Sequence, residues 1–104
     1  MNELFMQRAL DLAILGREWV SPNPMVGCVI VRDNLIIGEG FHQKYGEVHA
    51  EVNAINSVKD KSQIEASDIY VSLEPCSHYG KTPPCADLLI KYQPKNVYIC
   101  NTDP

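Results

Sequence analysis

Residues 25–41, MVGCVIVRDNLIIGEGF, are the stretch that decides the fold. Two apolar runs rich in β-branched residues, 25–31 and 35–41, flank a polar triplet at 32–34 that is typical of a turn. The pattern predicts an antiparallel β-hairpin. Glycines inside the two strands indicate β-bulges or the close approach of another group, at Gly27, Gly38 and Gly40.

Helical and strand patterns continue on both sides of the hairpin. Upstream, apolar residues at three- and four-residue spacing predict a helix over residues 2–16, with Asn2 as its N-cap. The two prolines of residues 21–24 then predict a stiff loop. Downstream, the sequence predicts a helix over 49–59, a strand over 69–73, a helix that starts within 82–84 and continues to Tyr92, and a strand over 97–100.

These elements predict an α/β fold. The order α-β-β-α-β-α-β begins with a hairpin and continues with strands that helical crossovers make parallel. We therefore expect a three-layer α/β/α sandwich whose mixed sheet has an N-terminal antiparallel hairpin followed by parallel strands. On the helix over 49–59, Val52 and Ile55, with either Asn56 or Val58, form the expected buried side.

Length and charge restrict the function. A chain of 104 residues is expected to form one domain, 1–104. Nine basic and thirteen acidic residues give a formal net charge of −4, which disfavours a nucleic-acid partner. The apolar run at 25–31 is too short to span a membrane, and residues 2–11 lack the pattern of a signal peptide. We expect a cytoplasmic protein without a membrane partner.

Two short segments carry the residues of a catalytic zinc site. One imidazole, His49, and two thiolates, Cys76 and Cys85, leave the fourth corner of a tetrahedral zinc open for water. Glu51, two residues after the histidine, corresponds to the general acid/base in the H-x-E…P-C-x-x-C signature of zinc nucleobase deaminases. The second half of the signature is longer here, PCSHYGKTPPC at 75–85. The other two cysteines, Cys28 and Cys100, lie in apolar strand patterns and are expected to be buried.

The chain resembles the cytidine-deaminase-like superfamily and, within it, the deaminase domain of the bifunctional riboflavin-biosynthesis deaminase/reductases. The motifs that carry the resemblance occur in order along nearly the whole chain: SPNPMVG at 21–27, GEGFH at 38–42, HAE at 49–51 and EPCSHYGKTPPC at 74–85. Nucleoside and tRNA deaminases usually have two residues between the cysteines. The longer spacing is similar to that of the riboflavin branch.

The resemblance implies hydrolytic deamination of a phosphorylated pyrimidine, 2,5-diamino-6-ribosylamino-4(3H)-pyrimidinone 5′-phosphate, with release of ammonia. It implies Zn²⁺ bound by His49, Cys76 and Cys85, with Glu51 as the proton shuttle. It further implies a longer domain, truncated here at its C-terminus, a homo-oligomer at full length, and NADPH only for the reductase domain, which is absent. Four more residues are expected to bind the substrate: Asn23, His42, His78 and Lys81.

Other interpretations remain open at this point. The chain is alternatively a nucleoside or tRNA deaminase, or a non-catalytic domain in which a fourth protein ligand, such as His78, closes the zinc. In a second interpretation, Asn23, which lies between two prolines, only stabilises a turn, and His42 and Lys81 are solvated loop residues. His78 is alternatively a residue that orients a zinc ligand.

Overall fold

The computed structural model describes residues 2–15, 26–41, 50–73 and 91–101. The predicted loop at 21–24 and nearly all of the predicted helix that ends at Tyr92 lie outside these ranges. In chain order the elements are helix α1 (Glu3–Leu15), strands β1 (Val26–Arg32) and β2 (Leu35–Phe41), helix α2 (Ala50–Ser57), a 3-10 helix (Lys61–Ile64), and strands β3 (Asp68–Leu73) and β4 (Asn96–Asn101). The 3-10 helix was not expected from the sequence; the other elements match predicted ones.

The four strands form one mixed sheet in the order β2-β1-β3-β4. Strand β1 pairs antiparallel with both β2 and β3, and β3 pairs parallel with β4. Strands β2 and β3 therefore run in the same direction, as a helical crossover through α2 requires. The crossover places β3 next to β1 and not next to β2. The predicted mixed sheet is confirmed.

A two-residue turn closes the hairpin. Asp33 and Asn34 have φ angles of 52° and 65°, which is the left-handed conformation that a type I′ turn needs at both central positions. Aspartate and asparagine tolerate this conformation better than most residues. The register of the hairpin shifts once, between Ile30 and Val31. The shift leaves Ile37 of β2, next to Gly38, without a partner on β1, so a bulge lies beside one of the three glycines, and all three also mark close approach of a helix.

Helices cover both faces of the sheet. One face packs against α2 and the other against α1, and the two cores share no residue because neighbouring side chains of a strand point to opposite faces. Cys28 is fully buried in the first core, as predicted. The buried members are Cys28, Ile30, Ala50, Ala54, Ile55, Val58, Ile64, Ile69 and Val71 on the α2 face, and Met6, Ala9, Leu12, Val29, Val31 and Tyr70 on the α1 face.

Helix α1 is fixed at its first turn. The Asn2 side-chain oxygen accepts a hydrogen bond from the Leu4 N–H at 2.9 Å, which confirms the predicted N-cap. The Asn2 N–H in turn donates to the Tyr70 hydroxyl at 3.1 Å. Further along, Arg8 forms an ion pair with Glu39 of β2 at 2.6 Å, and this contact raises the pKa of Arg8. In the described part of the chain, no helix combines the length and the apolar character needed to cross a lipid bilayer.

The centre of α1 rests on the backbone of β1 at Gly27. A Cβ atom built on Gly27 would overlap the carbonyl oxygen of Ala9 and would lie 2.8 Å from the amide nitrogen of Ala13. Since real Cβ atoms do not approach backbone atoms this closely, only glycine fits here. This contact sets the distance between α1 and the sheet.

Ser72 of β3 is a buried hydroxyl that lies opposite Gly27 in the β1–β3 pairing. Among the residues that the structure describes, its Oγ has no hydrogen-bond partner. Because an unsatisfied buried hydroxyl costs about 1–3 kcal/mol, we expect Ser72→Ala to raise the free energy of unfolding by about 1 kcal/mol in urea titrations.

The matched control is Ser67→Ala. The Ser67 hydroxyl is equally buried but donates to the Ile64 carbonyl at 2.6 Å, so its removal is expected to lower the free energy of unfolding by about 1 kcal/mol. Equal destabilisation by both variants would contradict the assignment of an unsatisfied hydroxyl at Ser72.

Candidate active site

Helix α2 starts with a buried carboxylate. Ala50 and Glu51 occupy its first turn, and Glu51 is only 2% exposed. The first turn of a helix presents N–H groups without intrahelical partners and the positive end of the helix dipole. Charged residues are rarely buried to this extent unless they are paired or functional. The structure therefore places the predicted proton shuttle, Glu51, in an interior position that suits chemistry away from bulk water.

Backbone contacts with β2 set how closely α2 packs against the sheet. A Cβ atom built on Gly40 would overlap the Ala54 amide nitrogen and lie 2.5 Å from the Ala50 carbonyl oxygen. One built on Gly38 would lie 2.7 Å from the Ala54 carbonyl oxygen. Helix and strand backbones thus touch directly at the turn that carries Glu51. A larger side chain on β2 would push this carboxylate away from its position.

Two side chains of α2 hydrogen-bond to the backbone of β2. The Asn53 amide donates from Nδ2 to the Phe41 carbonyl oxygen at 2.9 Å. One turn later, the Ser57 hydroxyl accepts from the Glu39 N–H at 3.0 Å and donates to the Ala54 carbonyl at 2.7 Å. The helix is therefore fixed to the strand at two points along its length.

The strand register brings one terminus of each of the four strands to the same edge of the sheet. This edge is formed by strand ends and not by an outer strand. Phe41, the last residue of β2, pairs with Gly27 near the start of β1. Leu73, the last residue of β3, pairs with Val26 on one side and with Asn101 of β4 on the other. Since Gly40 contacts Ala50, helix α2 also begins at this edge. The segments that precede β1, join β2 to α2 and follow β3 all attach here.

These three segments contain the other residues predicted for the site. The structure describes Glu51, whereas seven predicted residues lie outside the described ranges: His49, Cys76, Cys85, Asn23, His42, His78 and Lys81. Within residues 2–15, 26–41, 50–73 and 91–101, no three His, Cys, Asp or Glu side chains are arranged to hold a metal ion. The zinc ligands consequently stay predictions. Sequence reasoning missed the Asn53 hydrogen bond to β2, because one half-buried polar residue in a helix gives no distinct pattern.

The sheet is mixed and covered on both faces. A buried glutamate lies in the first turn of the helix that follows the histidine of an H-A-E motif. Together these features define a deaminase-type enzyme. The sequence model of the cytidine and deoxycytidylate deaminase zinc-binding region matches residues 1–101. The chain belongs to this zinc-binding deaminase family. The sequence-based recognition of a deaminase is thereby confirmed.

Similar proteins agree with this classification. The chain is 52% identical over 103 residues to the diaminohydroxyphosphoribosylamino-pyrimidine deaminase of Buchnera aphidicola subsp. Schizaphis graminum, covering 99% of this chain and 69% of the relative. It is 50% identical to the riboflavin biosynthesis protein RibD of Escherichia coli, covering 99% of this chain and 28% of that protein. The chain thus spans about two thirds of the first relative and little more than a quarter of the second.

Solved structures show the same fold. RibD of Acinetobacter baumannii superposes with a TM-score of 0.80 at 50% identity, covering 97% of this chain and 28% of that one. Guanine deaminase of Bacillus subtilis superposes with a TM-score of 0.67 at 27% identity, covering 97% and 65%. The predicted cytidine-deaminase-like α/β architecture is confirmed.

Proposed function

We propose that this chain catalyses the hydrolytic deamination of 2,5-diamino-6-ribosylamino-4(3H)-pyrimidinone 5′-phosphate in riboflavin biosynthesis. Relatives about 50% identical over the whole chain carry the name of this deaminase or of RibD. The observation that carries the proposal is the burial of Glu51 at the sheet edge from which the motif segments extend. Hydrolysis of an amidine needs proton transfers to and from water, which a positioned carboxylate can perform.

We propose His49, Cys76 and Cys85 as the zinc ligands. One imidazole and two thiolates suit zinc, and three protein ligands are typical of catalytic sites. Chain connectivity supports His49 and Cys76, because His49 directly precedes Ala50 and Cys76 follows Leu73 by three residues, a span of at most about 11 Å. When bound, zinc would act as a Lewis acid that makes water acidic enough to lose a proton near neutral pH.

Glu51 is the proton shuttle in this proposal. Its carboxylate accepts a proton from the attacking water and delivers it to the adjacent ring nitrogen of the substrate. It then takes the second proton of that water and delivers it to the leaving amino group, so that one water and one amidine give a carbonyl and ammonia. Because Glu51 is not in the proposed ligand set, no bond to the metal competes with these proton transfers. Burial keeps the transferred protons from exchanging with bulk water.

Substrate binding is assigned to four residues on the segments at the same edge. Asn23 precedes β1, His42 follows Phe41 at the end of β2, and His78 and Lys81 lie in the segment after β3. A phosphate ester is best bound by cationic and N–H donors, which these side chains supply.

We further propose that residues 1–104 form a deaminase domain, and that NADPH serves only a reductase domain outside these residues. This chain is 48% identical to the Thermotoga maritima deaminase/reductase and covers 29% of that protein's chain. Deamination itself transfers no hydride. The deaminase step therefore requires zinc and water, and no nicotinamide.

The proposal is tested by zinc analysis and by ammonia release from the purified protein. We expect one zinc per chain and turnover of the phosphorylated diaminopyrimidine at least about 100-fold faster than that of cytidine or guanine, because a site built to hydrogen-bond one substrate discriminates strongly. Preference for cytidine or guanine would favour another branch of the family. Full zinc loading without ammonia release would favour a structural zinc domain.

A further inference from the structure

Gly40 of β2 lies against the backbone of the first turn of α2. A Cβ atom built on Gly40 would lie 2.5 Å from the Ala50 carbonyl oxygen and would overlap the Ala54 amide nitrogen. It would also lie 2.8 Å from the Cβ atom of Asn53. These three atoms cannot rotate away, because two belong to the helix backbone and the third is attached directly to it. The helix can accommodate a side chain at position 40 only by moving.

The Ala50 carbonyl belongs to the peptide unit that joins Ala50 to Glu51. A peptide unit is planar, so a displacement of its oxygen also moves the amide nitrogen and the Cα atom of Glu51. Both residues lie in the first turn of α2, where Ala50 is fully buried and Glu51 is 2% exposed. A single rigid unit therefore separates the Gly40 contact from Glu51.

Gly38 makes a comparable contact with the second half of α2. A Cβ atom built on Gly38 would lie 2.6 Å from Cγ2 of Val58, 2.7 Å from the Ala54 carbonyl oxygen and 3.2 Å from the Ser57 hydroxyl. Two of these three atoms belong to side chains, and all three lie between three and seven residues after Glu51. A methyl group at position 38 therefore acts on the helix beyond the turn that carries Glu51.

We propose that Gly40 is a positioning residue for the proton transfers: its missing side chain lets the first turn of α2 rest on β2 and thereby fixes the position of Glu51. The inference rests on the proposed function, because that proposal assigns the proton transfers to Glu51. Gly40 does not touch the reacting atoms and acts through the Ala50–Glu51 peptide unit. Real Cβ atoms essentially never come within 3.0 Å of such atoms, so Gly40→Ala must move the Ala50 oxygen by about 0.5 Å or more, which reaches the positional tolerance of a catalytic group.

The kinetic test compares Gly40→Ala with Gly38→Ala in the zinc-loaded protein. Both variants add one methyl group on the same strand against the same helix, and urea titration gives the folded fraction of each. We expect Gly40→Ala to lower kcat about 10- to 100-fold with KM within about threefold of the wild type, because a displacement of about 1 Å costs about 100-fold in rate. We expect Gly38→Ala to keep kcat within about threefold. Equal losses of kcat in the two folded variants would overturn the inference.

If Gly40→Ala does not fold, Ala50→Ser tests the same contact from the helix side. Ala50 is fully buried in the first turn of α2, so the added oxygen atom acts on the same closely packed turn. We expect kcat to fall about tenfold with little change in KM. A wild-type kcat in the folded Ala50→Ser protein would overturn the inference.

A second measurement does not depend on turnover. The chain has seven glutamates, and in protein labelled with ¹³C at the glutamate carboxyl carbon the Glu51 signal is the one that Glu51→Gln removes from the NMR spectrum. We expect Gly40→Ala to shift the Glu51 signal and Gly38→Ala to leave it in place. Equal shifts in both variants, or none in either, would overturn the inference. Absence of wild-type turnover on the pyrimidine phosphate would instead reject the proposed function, while the carboxyl signal still decides whether Gly40 positions Glu51.

Discussion

The Glu51→Gln protein is expected to fold and to bind zinc but to lose its deaminase rate by a factor of about 10²–10⁴, the usual contribution of a positioned general acid/base. Glutamine has nearly the shape of glutamate, so the buried first turn of α2 stays filled. It cannot accept a proton from water at neutral pH. Both proton transfers assigned to Glu51 are therefore lost, whereas the proposed zinc ligands are retained.

The measurements are kcat from ammonia release and zinc per chain from elemental analysis. Glu65→Gln is the matched control, because it removes the same charge at an exposed position beyond the 3-10 helix. The control is expected to keep the wild-type rate and zinc content. A Glu51→Gln enzyme that retains its rate would show that another group moves the protons. Loss of zinc together with rate would instead assign Glu51 to the metal.

Gly27→Ala is expected to be the most destabilising of the substitutions discussed, lowering the free energy of unfolding by about 3 kcal/mol or more. The added methyl group would overlap the Ala9 carbonyl oxygen, which belongs to a helix backbone and cannot rotate away. Helix α1 must then move off β1 and lose burial of Met6 and Leu12. The gain of up to about 1 kcal/mol from a less flexible unfolded chain is too small to compensate.

Urea titration followed by circular dichroism measures this effect. Ser72→Ala is the appropriate control, because Ser72 faces Gly27 across the β1–β3 pairing and its replacement adds no atoms. A Gly27→Ala protein as stable as the wild type would mean that α1 packs less closely than described. In that case the Ala9 and Ala13 contacts would not set the spacing between helix and sheet.

Elements with strong local signals were predictable from the sequence. The hairpin follows from β-branched runs around a turn whose Asp33 and Asn34 accept positive φ. Helix α1 follows from its apolar spacing and its Asn2 cap. Membership of the zinc-binding deaminase family was predictable for a similar reason, since motif spacing is a property of the chain itself. The placement of the zinc ligands is a separate matter that the described residues do not test.

The buried side of α2 was predicted only in part. Ile55 and Val58 are buried as expected, but Val52 is only half-buried and Asn56 is exposed, while Ala50 and Ala54 face the sheet. Alanine faces the sheet because the β2 glycines let the helix approach so closely that larger side chains do not fit. Hydrophobicity patterns favour large residues, and they cannot show how close another element will come.

Strand neighbours were also not predictable from local patterns. That β3 joins β1 and not β2 depends on how α2 crosses the sheet, which is a tertiary property. The 3-10 helix was missed because its signal is small: the Asp60 side chain accepts from the Ser62 N–H and starts a turn of only four residues. Short capped turns of this kind resemble ordinary loop sequence.

The Ser57 hydroxyl also occupies a backbone donor on an outer strand of the sheet. Strand β2 is an outer strand of the described sheet. An N–H group that points outward from such a strand can pair with a strand of another molecule. The Glu39 N–H already donates to Ser57, so a foreign strand would have to break this bond before it could extend the ladder. The helix that carries Glu51 therefore also occupies a backbone donor on this outer strand, which makes the strand a poorer template for pairing with another chain.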